Sequence, residues 1–111
     1  MSETEQDFRR LVSDLLSHLA DQLDLVEDDD IDPVLSDGVL SCAFEERGGT
    51  FVLSQQVPVR ELWLSANRTA WHFRYDGEGW PERDKGDDLL VVLNKLFSDK
   101  LGMPVTFTYA D

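Results

Sequence analysis

An α+β fold is what this sequence predicts: a two-layer α/β sandwich with N- and C-terminal helices packed on one face of an antiparallel sheet of about five strands. Three observations carry the prediction. Apolar residues recur with helical spacing near both ends of the 111-residue chain, they alternate with a period of two in between, and the breaks between the alternating runs are only a few residues long. A chain of this length is expected to form one domain, residues 1–111.

The first helix is read from Phe8, Leu11, Val12, Leu15, Leu16, Leu19 and Leu23, the i, i+3, i+4, i+7 rhythm of an amphipathic helix. Asp7, Asp14, Asp21 and Asp28 recur every seven residues and would form a carboxylate stripe beside the apolar one if the helix ran that far. It is expected to fray near Val26, where the acidic run from Glu27 to Asp30 begins, and Pro33 disfavours helix at Asp32.

After Ser36-Asp37-Gly38 the period changes to two. Strands are predicted at Val39 to Phe44, Thr50 to Ser54, Val59 to Ser65 and Ala70 to Tyr75, with a short last one at Gly79-Trp80-Pro81. Connections this short join antiparallel neighbours. The second helix runs from about Asp87 to Leu101, with Leu89, Leu90, Leu93, Leu96, Phe97 and Leu101 on its apolar face. Asp87 and Asp88 sit at its positive end, and Gly102 and Pro104 stop it. Two helices with one apolar face each, and a sheet with one face to cover, pack most economically on the same side and leave the other side of the sheet wet.

Composition narrows function. No run of about 18 apolar residues is present. The acidic start Met1–Asp7 has neither the basic, apolar pattern of a secretory signal nor the Arg-rich pattern of a transit peptide. With Cys42 as the single cysteine, a disulfide within the chain and a thiolate zinc site are both excluded, and a cytoplasmic location is expected.

Charge is the strongest clue. The net charge is -13, and residues 1–37 carry 12 acids and 2 bases against 11 acids and 8 bases in residues 38–111. Such a field repels nucleic acid and anionic membranes and attracts cations and basic protein surfaces. Its densest part is Asp21, Asp24, Glu27, Asp28, Asp29, Asp30 and Asp32, seven carboxylates in twelve residues. Asp21, Asp24 and Glu27 are i, i+3 neighbours on a helix, and they crowd its C-terminal end, where the macrodipole is already negative.

Two readings stand: a solvated face that keeps the protein soluble, or a cation-binding ridge. The ligands would be all oxygen, which suits hard ions such as Ca²⁺, Mg²⁺, Mn²⁺, Fe²⁺ and Fe³⁺. An EF-hand is excluded, because a loop starting at Asp28 would have Pro33 where Gly is needed and Val39 where Glu is needed. An open cluster binds several ions weakly.

Alternation places Glu61, Trp63 and Ser65 on the face opposite Leu62 and Leu64. Trp63 is then either an exposed interface anchor or a ring lying flat on the sheet against neighbours such as Gln56. With Ser54, Gln56 and His72 it would make a polar, aromatic docking patch, to which Arg74 could add. His18 reads as a boundary residue and Cys42, in phase with Leu40 and Phe44, as a buried inert thiol. No phosphate loop, nucleophile elbow or zinc motif occurs in the sequence, so an enzyme is not expected.

The stretches Gly38-Val39-Leu40-Ser41, Phe51-Val52-Leu53-Ser54-Gln55-Gln56-Val57-Pro58, Leu62-Trp63-Leu64-Ser65 and Trp71-His72-Phe73 together resemble the core of the frataxin family, in particular its bacterial, CyaY-type branch. The likeness runs from about Phe8 to Phe107, with Asp30-Ile31-Asp32 aligning the start of the sheet. It implies the frataxin-like sandwich, weak iron (Fe²⁺ or Fe³⁺) binding along the first helix and the edge of the first strand, and a role in iron–sulfur cluster assembly. By position, the seven carboxylates from Asp21 to Asp32 fall on that ridge. The implied partners are the cysteine desulfurase, contacted through the acidic surface, and the iron–sulfur scaffold protein; the sheet face with Trp63 resembles the surface that contacts the assembly partners.

A monomer is the default expectation, with an iron-dependent oligomer left open, and the resemblance implies a protein that acts as iron-dependent regulator of the desulfurase, as iron donor, or as both. The chain departs from the family at Ser54, where Asn is usual, and at Asn67-Arg68-Thr69, where a small or Gly-Pro-like turn is usual. Val34 replaces a common acid, and Leu25 interrupts the acidic run. Two alternatives stay open: an acidic docking adaptor without physiological metal, and a ferroxidase. The second wants a closed two-iron site, and neither helix offers Glu-x-x-His.

Overall fold

A computed structural model describes residues 4–110; Met1, Ser2 and Glu3 of the acidic start, and Asp111, lie outside the described residues. The elements follow the order α1 (Glu5–Asp24), β1 (Ile31–Ser36), β2 (Val39–Phe44), β3 (Thr50–Gln56), β4 (Glu61–Ala66), β5 (Thr69–Phe73) and α2 (Leu89–Leu101). The five strands form one antiparallel sheet in sequence order, β1-β2-β3-β4-β5.

A capping box starts α1: the Thr4 hydroxyl accepts from the Asp7 N–H while the Asp7 carboxylate accepts from the Thr4 N–H. Its buried stripe is Phe8, Val12, Leu15, Leu16, Leu19 and Leu23. These residues and Leu89, Val92, Leu93, Phe97 and Leu101 of α2 share one core with Leu40, Cys42, Phe44, Phe51, Leu53, Leu62, Leu64 and Phe73 of the sheet. At one end of that core, Phe44, Phe51 and Phe107 all pack on Phe97, with ring centroids 5.2–5.9 Å away.

Asp88 caps α2, accepting from the Leu90 N–H, and its carboxylate also accepts from the Trp80 N–H and the Tyr109 hydroxyl. The tail after α2 is stitched to both helices. Ser98 and Asn94 of α2 accept from the N–H groups of Val105 and Phe107, and Gln22 of α1 accepts from that of Thr108.

The strand count stands, but one member differs. Ile31–Ser36 is a strand, whereas Gly79-Trp80-Pro81 is not: the 81–82 segment makes only isolated bridges to Asp88 and Phe73. Pro33 fits β1 because β1 is an edge strand, which needs ladder hydrogen bonds on one side only. Asp37 and Gly38, both at positive φ (45° and 77°), make the two-residue turn that joins β1 to β2. The positive φ of Gly38 favours glycine there, and a Cβ would also push aside the end of the Gln55 side chain.

Strand boundaries also shift: β3 runs on to Gln56, and β4 ends at Ala66. Val57–Val59 is a turn of 3-10 helix, so β4 begins at Glu61, and β5 spans Thr69–Phe73.

Candidate functional site

The acidic run is divided by the fold. α1 ends at Asp24 with Leu25 as its C-cap, and no basic residue stands in its last turn. Glu27 therefore lies beyond the helix, and the stripe does not reach Asp28. Asp21, Asp24, Glu27, Asp29 and Asp32 are all exposed. Among the described residues, none of these five takes part in an ion pair.

Asp28 and Asp30 sit differently, because both are paired with Arg47 and so do not belong to the open, solvated cluster. Arg47, from the turn between β2 and β3, donates to both oxygens of Asp28 at 3.0 Å and to Asp30 at 3.1 Å. Asp30 is buried and also accepts from the backbone N–H groups of Glu46 (2.5 Å) and Arg47 (3.1 Å). The Arg47 guanidinium holds the Asp28 carboxyl below its usual range. For Asp30, the Glu46 N–H leads the lowering, against the opposing effect of burial. These two side chains fasten the β2–β3 turn to the start of β1, while the other five present oxygen ligands to solvent with no enclosing cage. That donor set fits hard cations held weakly and several at a time.

The wet face of the sheet forms the second cluster. Cross-strand register puts Ser54, Trp63 and His72 in one row across β3, β4 and β5. Gln56 stands opposite Glu61 and donates to the Ser54 hydroxyl at 3.2 Å. The Trp63 side chain is about one-third exposed, at 36%, with the rest of its surface covered by its neighbours. Its ring meets His72 edge-on at 4.9 Å, and its Nε1–H donates to Glu61 at 2.8 Å.

Glu61 is the residue that sequence reasoning undervalued: no part of its side chain is exposed, and Arg74 (2.6 Å) and Arg83 (3.0 Å) both close on it. Burial alone would raise its pKa, but hydrogen bonds from Trp63, Arg74 and Arg83 outweigh that effect and hold it low. The signal was available in part, since Glu61 shares the alternation of Trp63. Arg83 was not legible, because it comes from an irregular loop 22 residues away. The arrangement offers a partner an aromatic ring backed by two guanidiniums and a row of hydroxyl, amide and imidazole groups.

His18 is half-buried at the boundary of the core. It borders a cleft with Asp14, Tyr75, Glu78, Trp80 and Tyr109, and its Nε2 is buried without a hydrogen-bond partner among the described residues. Cys42 is buried as expected, and burial pushes its thiol up to about 11. No helix of the described residues is long and apolar enough to cross a membrane.

A family model of the frataxin-like domain matches residues 1–103. The chain is 39% identical over 111 residues to the iron–sulfur cluster assembly protein CyaY of Azotobacter vinelandii, covering 96% of this chain and 97% of that one. It is 33% identical over 105 residues to the protein of the same name from Bordetella petrii, covering 92% and 95%. Among solved structures, frataxin from Psychromonas ingrahamii superposes with a TM-score of 0.87 at 21% identity, covering 96% of this chain and 99% of that one. Trimeric frataxin from the yeast Saccharomyces cerevisiae, complexed with ferrous iron, superposes at 0.72 with 24% identity, covering 92% and 89%. At those identities the structural likeness speaks for the fold.

Proposed function

The chain belongs to the frataxin-like family, and from that premise we propose that it serves iron–sulfur cluster assembly as a non-enzymatic iron-binding protein, regulating a cysteine desulfurase, donating iron, or both. Iron is cargo here. It is held weakly by exposed carboxylates, with Asp21, Asp24, Glu27, Asp29 and Asp32 as the open set and Asp28 and Asp30 behind them.

The observation that carries this reading is the lack of a neutralising cation, among the described residues, beside five acids at and just beyond the end of α1. Crowding charge against the negative end of a helix disfavours the folded state. An incoming cation or a basic protein surface removes that cost. The names of the relatives, iron–sulfur cluster assembly proteins, and the ferrous complex of the yeast protein support the choice of iron and of pathway.

Both kinds of positive partner would occupy the same surface, so bound iron competes with the desulfurase or bridges to it. The row Ser54, Gln56, Trp63 and His72 serves the scaffold protein. The protein works in the cytoplasm as a monomer, and iron bridging between ridges provides a route to an oligomer, as the trimeric yeast frataxin suggests.

A pull-down with purified desulfurase tests the reading. Wild type should be retained, and a variant with Asp21, Asp24 and Asp29 changed to Lys should be lost, with Fe²⁺ altering retention of the wild type only. Equal retention of both proteins rejects the ridge as the docking surface. A docking adaptor without metal is the outcome if neither Ca²⁺ nor Fe²⁺ raises the Tm beyond matched ionic strength.

A further inference from the structure

On the wet face, at the far side of the sheet from the acidic run, the imidazole of His72 is placed by packing alone. Its ring stands edge-on to Trp63, and neither ring nitrogen makes a hydrogen bond among the described residues. Nδ1 faces Glu82 Oε2 at 3.9 Å, too far for a hydrogen bond. Asp84 approaches the same point, so that one His72 nitrogen, one Glu82 oxygen and one Asp84 oxygen all lie within 4.8 Å of one another.

We propose that His72, Glu82 and Asp84 form a site for one borderline divalent transition ion, of the zinc, cobalt or ferrous class, separate from the all-oxygen ridge.

Spacing supports it first. Some point between three atoms so placed lies within about 2.8 Å of all three, against about 2.0–2.2 Å for zinc–nitrogen and zinc–oxygen bonds. A contraction of well under 1 Å closes the site. Asp84 is able to supply most of that movement, because its side chain is exposed and its other contact is a 3.5 Å approach from Arg83.

Preorganisation supports it next. Glu82 is buried, and its Oε1 accepts from the backbone N–H groups of Asp84 (2.8 Å) and Lys85 (2.9 Å), while Oε2 accepts from the His72 N–H (3.0 Å). Those bonds tie the loop to β5. They also fix the carboxylate in place as outer-shell hydrogen bonds fix a metal ligand, and they leave Oε2 a free lone pair toward His72.

Chemistry then sets the ion. One imidazole with two carboxylates selects against Ca²⁺ and Mg²⁺, which want oxygen throughout, and favours Zn²⁺, Co²⁺ and Fe²⁺. Three protein ligands leave coordination positions open toward solvent, next to the Ser54 and Trp63 row, where a partner could supply the remainder.

The sequence holds two histidines, His18 and His72, so a proton NMR spectrum resolves the site directly. Zn²⁺ is added to the full chain and the imidazole C–H signals are followed. The His72 signals should move and saturate near one equivalent while those of His18 stay, and Ca²⁺ at the same concentration should leave both unchanged. Asp84→Asn, whose side chain is exposed, should weaken Zn²⁺ binding at least tenfold without changing the Tm of the metal-free protein. His72→Ala should abolish it. A quadruple variant of the ridge (Asp21→Asn, Asp24→Asn, Glu27→Gln, Asp29→Asn) should still bind with unchanged affinity. A His72 response that is equal for Ca²⁺ and Zn²⁺, or is absent, or survives Asp84→Asn at full affinity, overturns the proposal.

Discussion

Arg47 reaches Asp30 at 3.1 Å while both of its terminal nitrogens hold Asp28 at 3.0 Å, so one guanidinium from the β2–β3 turn takes two carboxylates out of the acidic run. The pairing gives those two acids a structural duty that the other five do not have. It also gives the fold a pH signature.

Asp28 and Asp30 are both held below the ordinary carboxylate range. A depressed folded-state pKa contributes stability that is present above the unfolded value, about 3.9, and lost as pH falls through the folded value. Arg47→Ala should therefore lower the Tm by a few degrees at pH 7. The gap to wild type should narrow below pH 4 and close once both carboxyls are protonated in either state. Thermal melts from pH 7 to pH 2.5 check this; a gap that is constant with pH would mean that the guanidinium acts by packing.

Cys42 is buried between Phe51 on β3 and the edge strand, with its thiol pushed up to about 11. At pH 8 it should not react with an aromatic disulfide reagent until urea unfolds the chain. Cys42→Ser buries a hydroxyl among apolar neighbours and should cost about 1–3 kcal/mol, read as a lower urea midpoint at constant slope.

Much of this molecule was legible from spacing. Both helices and four of the five strands follow from apolar periods, because the sheet has one wet and one dry face and each helix one buried stripe. Although the family resemblance set the start of the sheet at Asp30-Ile31-Asp32, periodicity alone did not pick out the edge strand β1, for a physical reason. Its residues are mostly exposed, so Ile31–Ser36 carries little alternation, and Pro33 argues against a central strand but not against an edge. The Asp37-Gly38 hairpin was the overlooked signal. In the site, composition located the acidic run but was blind to Arg47, a residue 17 positions from Asp30 that enters through a turn. Pairings of that kind are set by tertiary packing, and no local pattern encodes them.

Trp63 is a partly exposed ring held by its hydrogen bond to Glu61 and by its edge-on contact with His72. Trp63→Ala should weaken binding of the scaffold protein by about tenfold or more, the loss expected for an interface anchor, and leave the ridge's response to iron intact. Titration calorimetry with the scaffold reads the affinity. Unchanged binding would remove this face from the proposed interface.

Mutual repulsion among 23 acids against 10 bases makes the fold sensitive to ionic strength. The Tm should rise steadily with NaCl. Changing Asp21, Asp24, Glu27, Asp29 and Asp32 to their amides should raise the Tm at low salt and flatten that rise, because those five have no cation partner among the described residues. The same changes at Asp28 and Asp30 should lower the Tm instead, since they break the contacts to Arg47 and the turn.

The most direct measurement is an anaerobic Fe²⁺ titration of isotope-labelled protein followed by amide NMR. The five open carboxylates predict progressive shifts and broadening centred on Asp21, Asp24, Glu27, Asp29 and Asp32, without saturation at one equivalent. Signals from residues 20–32 that stay unmoved while iron is in excess would contradict the account.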